Sequence, residues 1–179
     1  MIRVGILGLA RREGTFGEVG LRSWEEAGCA AVEQALMTHG KGLYTVHRPL
    51  VVRGLQPELE RILRDWCDVP NEQARCHLIL TVGGTGYTRL DIMPDAAAAV
   101  ILRPAPGLAE RLRRINSEPE NLHQTLSRGV AGLRKQTLIV NLPGQAMGMA
   151  DGESLALATQ TLLPLLPPLL AEIEEEAGS

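Results

Sequence analysis

Aromatic residues are scarce in this sequence: Phe, Trp and Tyr together make up 3% of its 179 residues. So few flat rings argue against the stacking platforms that single-stranded nucleic acid needs. A dominant charge is missing too. The chain sets 18 Lys and Arg against 21 Asp and Glu, a formal net charge of -3, which leaves no basic surplus to follow a polyanion. Cysteine is limited to Cys29, Cys67 and Cys76, without C-x-x-C spacing and without clustered histidines. That excludes a zinc ribbon or a disulfide framework and fits a reducing, cytoplasmic setting. His39, His47, His77 and His123 show no metal-ligand spacing. No apolar run reaches the roughly 20 residues that span a bilayer, so no membrane role is expected. The opening "MIRVGILGLARREG" places its basic residues after the apolar run, with no small-residue cleavage site. It reads as a first strand rather than a signal peptide.

What is present is an ordinary globular composition, 45% hydrophobic, without repeats or low-complexity linkers, so residues 1–179 read as a single domain. Ile2 to Leu9 is a buried strand in this reading, and Trp24 to Met37 a helix. Leu43 to Val52 is strand-like, with Pro49 marking its end or a sheet edge. Gln56 to Trp66 carries Leu59, Ile62 and Leu63 at helical spacing. "HLILTV", His77 to Val82, is a continuous apolar run of strand length, as in a strand covered on both faces. A helix opens at Pro94, "TLIVN" (Thr137 to Asn141) is another short strand, and Glu153 to Glu175 is helical but broken by Pro164, Pro167 and Pro168. Strands alternating with helices predict a three-layer α/β domain with a mainly parallel central sheet. In such sheets ligands collect beyond the carboxyl ends of the strands, where strand order reverses.

The segment leaving the strand at 77–82 is the chemically pointed one: "LTVGGTGYTRLDIMPDA", Leu80 to Ala96. Gly83, Gly84 and Gly86 take side chains out of a strand-to-helix turn. Such a turn either needs left-handed backbone or bares consecutive amides for a phosphate beside a helix N-terminus. Neither G-x-x-x-x-G-K-[ST] nor G-x-G-x-x-G is present. Asp95 follows Pro94 into the first helical turn, where the helix dipole stabilises a carboxylate by about 0.3–1 kcal/mol. Asp91 lies in the loop itself; it either caps the turn or holds Mg²⁺ beside a bound anion.

Together with "LSRGVAGLRKQTLIVNLPGQ", Leu126 to Gln145, this stretch resembles the molybdopterin adenylyltransferase family, the Mog/MoaB-type proteins of molybdenum-cofactor biosynthesis. The family pattern is a T-[TS]-G-G-T-G loop, then R-D-x-T-P-[DE]-A, then L-S-R and L-P-G-[SQ]. Both blocks match in order and spacing, and "LLPLLPPLL" is similar to the family's closing segment. The resemblance implies a molybdopterin-binding-domain-like fold, usually a homotrimer. It implies a protein that binds molybdopterin and ATP with Mg²⁺, transfers AMP to the pterin's terminal phosphate, and contacts a downstream molybdenum-insertion protein. It places Gly83, Gly84, Thr85 and Gly86 on the family's glycine loop and Asp91 on the aspartate tied to metal and catalysis. It also places Asp95 at the helix start, Ser127 on the serine of L-S-R, and Pro143, Gly144 and Gln145 on a second ligand loop. Arg12, Arg89, Arg128, Arg134 and Lys135 are the basic residues available to a phosphate. The sequence departs from the pattern near the N-terminus, where Glu26, Ala27 and Gly28 only loosely echo the family's D-x-S-G and Ala10, Arg11 and Arg12 replace a polar turn, and at three further positions. Arg53 stands where the family usually has a second carboxylate, with Glu58 further along in a helix; Val82 replaces a hydroxyl residue; and Met93 replaces a threonine, a cap generally worth about 1 kcal/mol. Two functions follow: an adenylyltransferase with a rearranged metal site, or a non-catalytic molybdopterin carrier or scaffold.

Overall fold

A computed structural model describes residues 1–10, 18–47, 49–115, 125–142 and 153–177. In chain order the elements are β1 (Ile2–Leu9), α1 (Glu18–His39), β2 (Tyr44–Val46), β3 (Leu50–Val52), α2 (Gln56–Cys67), β4 (Leu78–Val82) and α3 (Met93–Val100). They continue with β5 (Arg103–Pro104), α4 (Pro106–Arg114), β6 (Ala131–Arg134), β7 (Thr137–Asn141), α5 (Glu153–Leu162) and α6 (Leu166–Ala177). The sheet runs β2-β1-β4-β7-β6-β5, with β3 also paired to β1. Pairings among β1, β2, β3, β4 and β7 are parallel, while β6 is antiparallel to both β7 and β5.

The apolar runs become central strands because both sheet faces are covered. Along β1, Val4 and Ile6 face one layer while Leu7 and Leu9 face the other; Leu78, Leu80 and Val82 alternate with Ile79 in the same way, as do Leu138 and Val140 with Ile139. The first face is packed by α1, α4, α5 and α6 through residues such as Val32, Leu36, Leu112, Leu155, Leu162 and Leu170. The second is packed by α2 and α3 through Leu59, Leu63, Met93, Ala97 and Val100. The three-layer architecture expected from the sequence is the one found.

Two local differences have clear causes. The single strand expected over 43–52 is two three-residue strands on either side of Pro49. β2 pairs with Ile2–Val4 and β3 with Leu7–Leu9, so together they line the edge where a residue without an N–H is tolerated. β5 and β6 were not anticipated, since a two-residue strand and "AGLR" carry too little apolar pattern to register.

This topology sets the site. β1 is followed by α1 on one face, and β4 is followed by α3 on the other. The carboxyl ends of neighbouring strands β1 and β4 therefore flank the crevice of a switch in strand order. No single helix among the described residues is long and apolar enough to cross a membrane. The bent pair α5 and α6 turns by 58° at a break holding Pro164, and Leu162, Leu163, Leu166 and Leu170 serve the core. All three cysteines are buried. Loss of hydration pushes the Cys29 and Cys67 thiols up to about 12 and that of Cys76 to about 11.

Close packing of α2 on the sheet depends on Gly5, where a methyl group would stand 2.7 Å from the Trp66 ring. Gly5→Ala is expected to destabilise the fold by about 1–3 kcal/mol, the usual cost of overpacking, read as a lower urea midpoint; an unchanged midpoint rejects this packing.

Candidate functional site

The glycine turn is built against the end of β1. Gly83 and Gly84 adopt φ of +85° and +63°, which other residues rarely take. A side chain at Gly83 would sit 3.1 Å from the Leu9 carbonyl oxygen, and one at Gly84 2.6 Å from Leu9 Cδ2. Gly86 has a different reason. A methyl group there would stand 2.8 Å from Asp91 Oδ2, so the bare position is space occupied by that carboxylate.

Asp91 is 1% exposed. Its Oδ2 accepts the Thr88 amide N–H at 2.9 Å and the Thr88 hydroxyl at 2.7 Å, so it caps the loop that carries it. Of the two readings left open by the sequence, these bonds are those of the local cap, and the carboxylate lies beneath Gly86.

Three successive carbonyls of the turn are anchored. Gly84 O accepts the Met93 N–H at 3.2 Å, Thr85 O the Arg128 N–H at 3.0 Å, and Gly86 O the Arg128 Nε–H at 2.7 Å. In a trans peptide the carbonyl and the following N–H point in opposite directions, and no described peptide bond is cis. The N–H groups of Thr85, Gly86 and Tyr87 therefore aim away from the segments that hold the carbonyls. Consecutive amides that converge on one side of a turn make a concavity suited to an anion.

The Arg128 guanidinium continues past Gly86. It donates to both oxygens of Asp95, at 3.2 and 2.9 Å, and to the Asp91 carbonyl at 2.5 Å. Asp95 is in the first turn of α3, as expected, but its carboxylate faces this arginine. Ser127 Oγ accepts the Gly129 N–H at 3.2 Å, a local turn bond. Arg113 reaches the Gly129 carbonyl at 2.9 Å. Asn141, at the end of β7, accepts the Val130 N–H at 3.1 Å and donates to Thr81 Oγ1 at 2.8 Å. Asn141 and Thr81 stitch this segment to the mouth of β4. The sequence reading passed over them, although a polar residue inside a strand covered on both faces was the available signal.

Among the basic candidates, Arg134 and Lys135 pair with Asp68 near the amino end of β7 and are remote from the glycine turn, which follows the carboxyl end of β4. Arg89 is exposed on the loop between Gly86 and Asp91, next to Tyr87, which is 72% exposed. Arg12, Pro143, Gly144 and Gln145 lie outside the described residues. Arg53 is exposed at the end of β3, beside Ala10. Glu58 is closer to the strand end than its sequence distance suggested. α2 opens at Gln56, and the Glu58 carboxylate folds back over Gly54, where a methyl group would overlap it. The reading of Met93 as a lost cap also changes. The cap position is Ile92, Met93 is fully buried, and its N–H is taken by Gly84 O.

Asp91 and Glu58 supply hard oxygen donors, and no group of three or more His, Cys, Asp or Glu residues placed to hold a metal occurs among the described residues. Carboxylate oxygens are the kind of donor Mg²⁺ takes, one or two to an ion that keeps phosphate and water as its other ligands; Asp91 lies beneath Gly86 and Glu58 over Gly54.

Comparison with known proteins places the chain among molybdopterin proteins. A family model described as a probable molybdopterin binding domain matches residues 33–166. The molybdopterin adenylyltransferase of Escherichia coli (strain K12) is 35% identical over 156 residues, covering 84% of this chain and 71% of that protein. That of Haemophilus influenzae is 45% identical over 100 residues, 54% of this chain and 46% of its own length. The crystal structure of the molybdopterin biosynthesis enzyme MoaB from Thermus thermophilus superposes with a TM-score of 0.74 at 32% identity, over 97% of this chain and 96% of that one.

The bond from Arg128 holds the Asp95 carboxyl below the usual carboxylate range. A depressed folded-state pKa adds stability that is full above the unfolded value, about 3.9, and disappears as pH falls through the lower folded value. Asp68, lowered by Arg134, contributes with the same sign. The urea midpoint of the native chain should exceed that of Asp95→Asn at neutral pH, with the gap closing below about pH 4; a gap that persists at lower pH rejects the pairing.

Proposed function

Because this chain belongs to the probable molybdopterin binding domain family, we propose that it is a molybdopterin adenylyltransferase, transferring AMP from MgATP to the terminal phosphate of molybdopterin. The observation that carries this reading is the turn at 83–87, with its carbonyls anchored, its amides turned away from those anchors, and the Asp91 carboxylate packed beneath Gly86.

In the reaction a terminal phosphate oxygen of the pterin attacks the α-phosphorus of ATP. A new P–O bond forms, the bridging bond to the β-phosphate breaks, and pyrophosphate leaves. Such a transfer needs alignment and charge neutralisation more than a protein nucleophile. The amides of Gly86 and Tyr87 supply fixed dipoles toward a phosphoryl group, at no reorganisation cost once the carbonyls are anchored. Arg89, exposed on the same loop, is the cation placed to meet a phosphate from the solvent side. Asp91 and Glu58 are the residues that would hold Mg²⁺. Bound there, the ion neutralises charge on the triphosphate. On the same reading the protein works in the cytoplasm as a homotrimer and passes its product to a downstream molybdenum-insertion protein. Asp95, Ser127, Pro143, Gly144 and Gln145 are the further ligand residues that the resemblance implies.

The carrier reading drew its support from Arg53 in place of a second carboxylate. The Glu58 carboxylate over Gly54, just past β3, favours the enzyme by offering an acidic group at that strand end.

Purified protein incubated with molybdopterin, MgATP and pyrophosphatase should form adenylylated pterin, detected by chromatography. Asp91→Asn should lower the rate by on the order of a hundredfold, and Glu58→Gln by at least about tenfold, with folding retained. No product from the native chain while pterin stays bound overturns the enzyme reading; a full rate in either variant removes that carboxylate from the mechanism.

A further inference from the structure

An arginine beside a phosphate-binding turn invites assignment as a phosphate ligand. The bonds of Arg128 point elsewhere. Its Nε donates to Gly86 O, Nη1 to Asp95 Oδ1, and Nη2 to both Asp95 Oδ2 and the Asp91 carbonyl. A guanidinium carries five N–H donors in a fixed fork, and four of these bonds already end on protein oxygens. Its own main-chain N–H holds Thr85 O. The charge is matched by a carboxylate gripped in the two-pronged way that only a planar fork achieves.

The peptide planes on either side of Gly86 are where orientation is least secure. Gly86 has no Cβ to restrict φ and ψ, and Gly84 already sits in left-handed backbone. If either plane turned over, an N–H would be exchanged for a carbonyl oxygen, and a bound anion would meet a negative dipole end where it had met a positive one. Residue 128 is 42 positions from Gly86 along the chain, so the restraint is imposed from a separate segment.

We propose that Arg128 is a positioning residue for phosphoryl binding: it holds the Thr85 and Gly86 carbonyls out of the cradle so that the Gly86 and Tyr87 amides face the anion, and Asp95 holds its guanidinium in that pose. This rests on the reading of the turn as a phosphoryl site.

The two roles predict opposite signs for one substitution. If Arg128 were a phosphate ligand restrained by Asp95, then Asp95→Asn would release the arginine, delete a neighbouring negative charge, and tighten anion binding. As a positioning residue, Arg128 loses its anchor in that variant, and binding weakens. The probe is inorganic pyrophosphate with Mg²⁺, titrated calorimetrically and by amide shifts in ¹⁵N-labelled protein. For the native chain, the Gly86 and Tyr87 amides should shift. Asp95→Asn and Arg128→Lys should each weaken pyrophosphate by about tenfold, the loss of one charge-assisted bond, with those shifts diminished and thermal unfolding still cooperative. Asp95→Glu, which keeps the fork's partner, should recover most of the affinity. Tighter or unchanged binding in Asp95→Asn overturns the proposal. So does a native protein whose Gly86 and Tyr87 amides ignore pyrophosphate. Neither readout requires turnover: native protein that binds pyrophosphate through these amides yet makes no adenylylated pterin would sink the transfer reaction and leave this inference standing.

Discussion

The site depends on where three carbonyl groups point. Gly84, Thr85 and Gly86 direct their oxygens at Met93 and Arg128, and the planarity of the peptide then decides the direction of the amides that follow. Much of the surrounding structure serves that arrangement. α3 contributes an N–H from its own unsatisfied first turn, Asp95 steadies the guanidinium, and the Asn141–Thr81 bond holds the segment carrying Arg128 against the ends of β7 and β4. One contact answers two needs at the helix start: Gly84 O satisfies an orphan N–H of α3, where no side-chain cap is present.

A protein with net negative charge can still hold phosphate if attraction comes from oriented dipoles rather than surplus lysine and arginine. Several of the basic side chains near the site are committed to the fold. Arg113 secures Gly129, and Arg128 secures the turn. Farther off, at the amino end of β7, Arg134 and Lys135 are engaged by Asp68. The arrangement is sensible where a cation accompanies the substrate, since fixed positive charges would compete with it.

The layered architecture was legible because it rests on periodicity. The runs at 2–9, 78–82 and 137–141 are apolar on both faces, and only a sheet covered on both sides explains that. Helix α2 was equally plain from Leu59, Ile62 and Leu63. The candidate site was marked by the glycines together with the strand end they follow. What escaped was everything decided by long-range geometry. Sequence ranks Arg128 with other arginines, because its partners lie 33 to 42 residues away. Glu58 was rightly placed in a helix, but its packing over Gly54 is a contact that the sequence does not show. Gly86 was visible as a bare position, but the neighbour that needs the space was not.

The deep placement of Cys29, Cys67 and Cys76 has a practical consequence. With few thiolates present at neutral pH and little access for reagents, the native chain offers almost no background for cysteine-directed labelling. A single cysteine introduced on the exposed stretch near Arg89 could carry a fluorophore or spin label, reporting on the loop during turnover without first stripping the core of its sulfur.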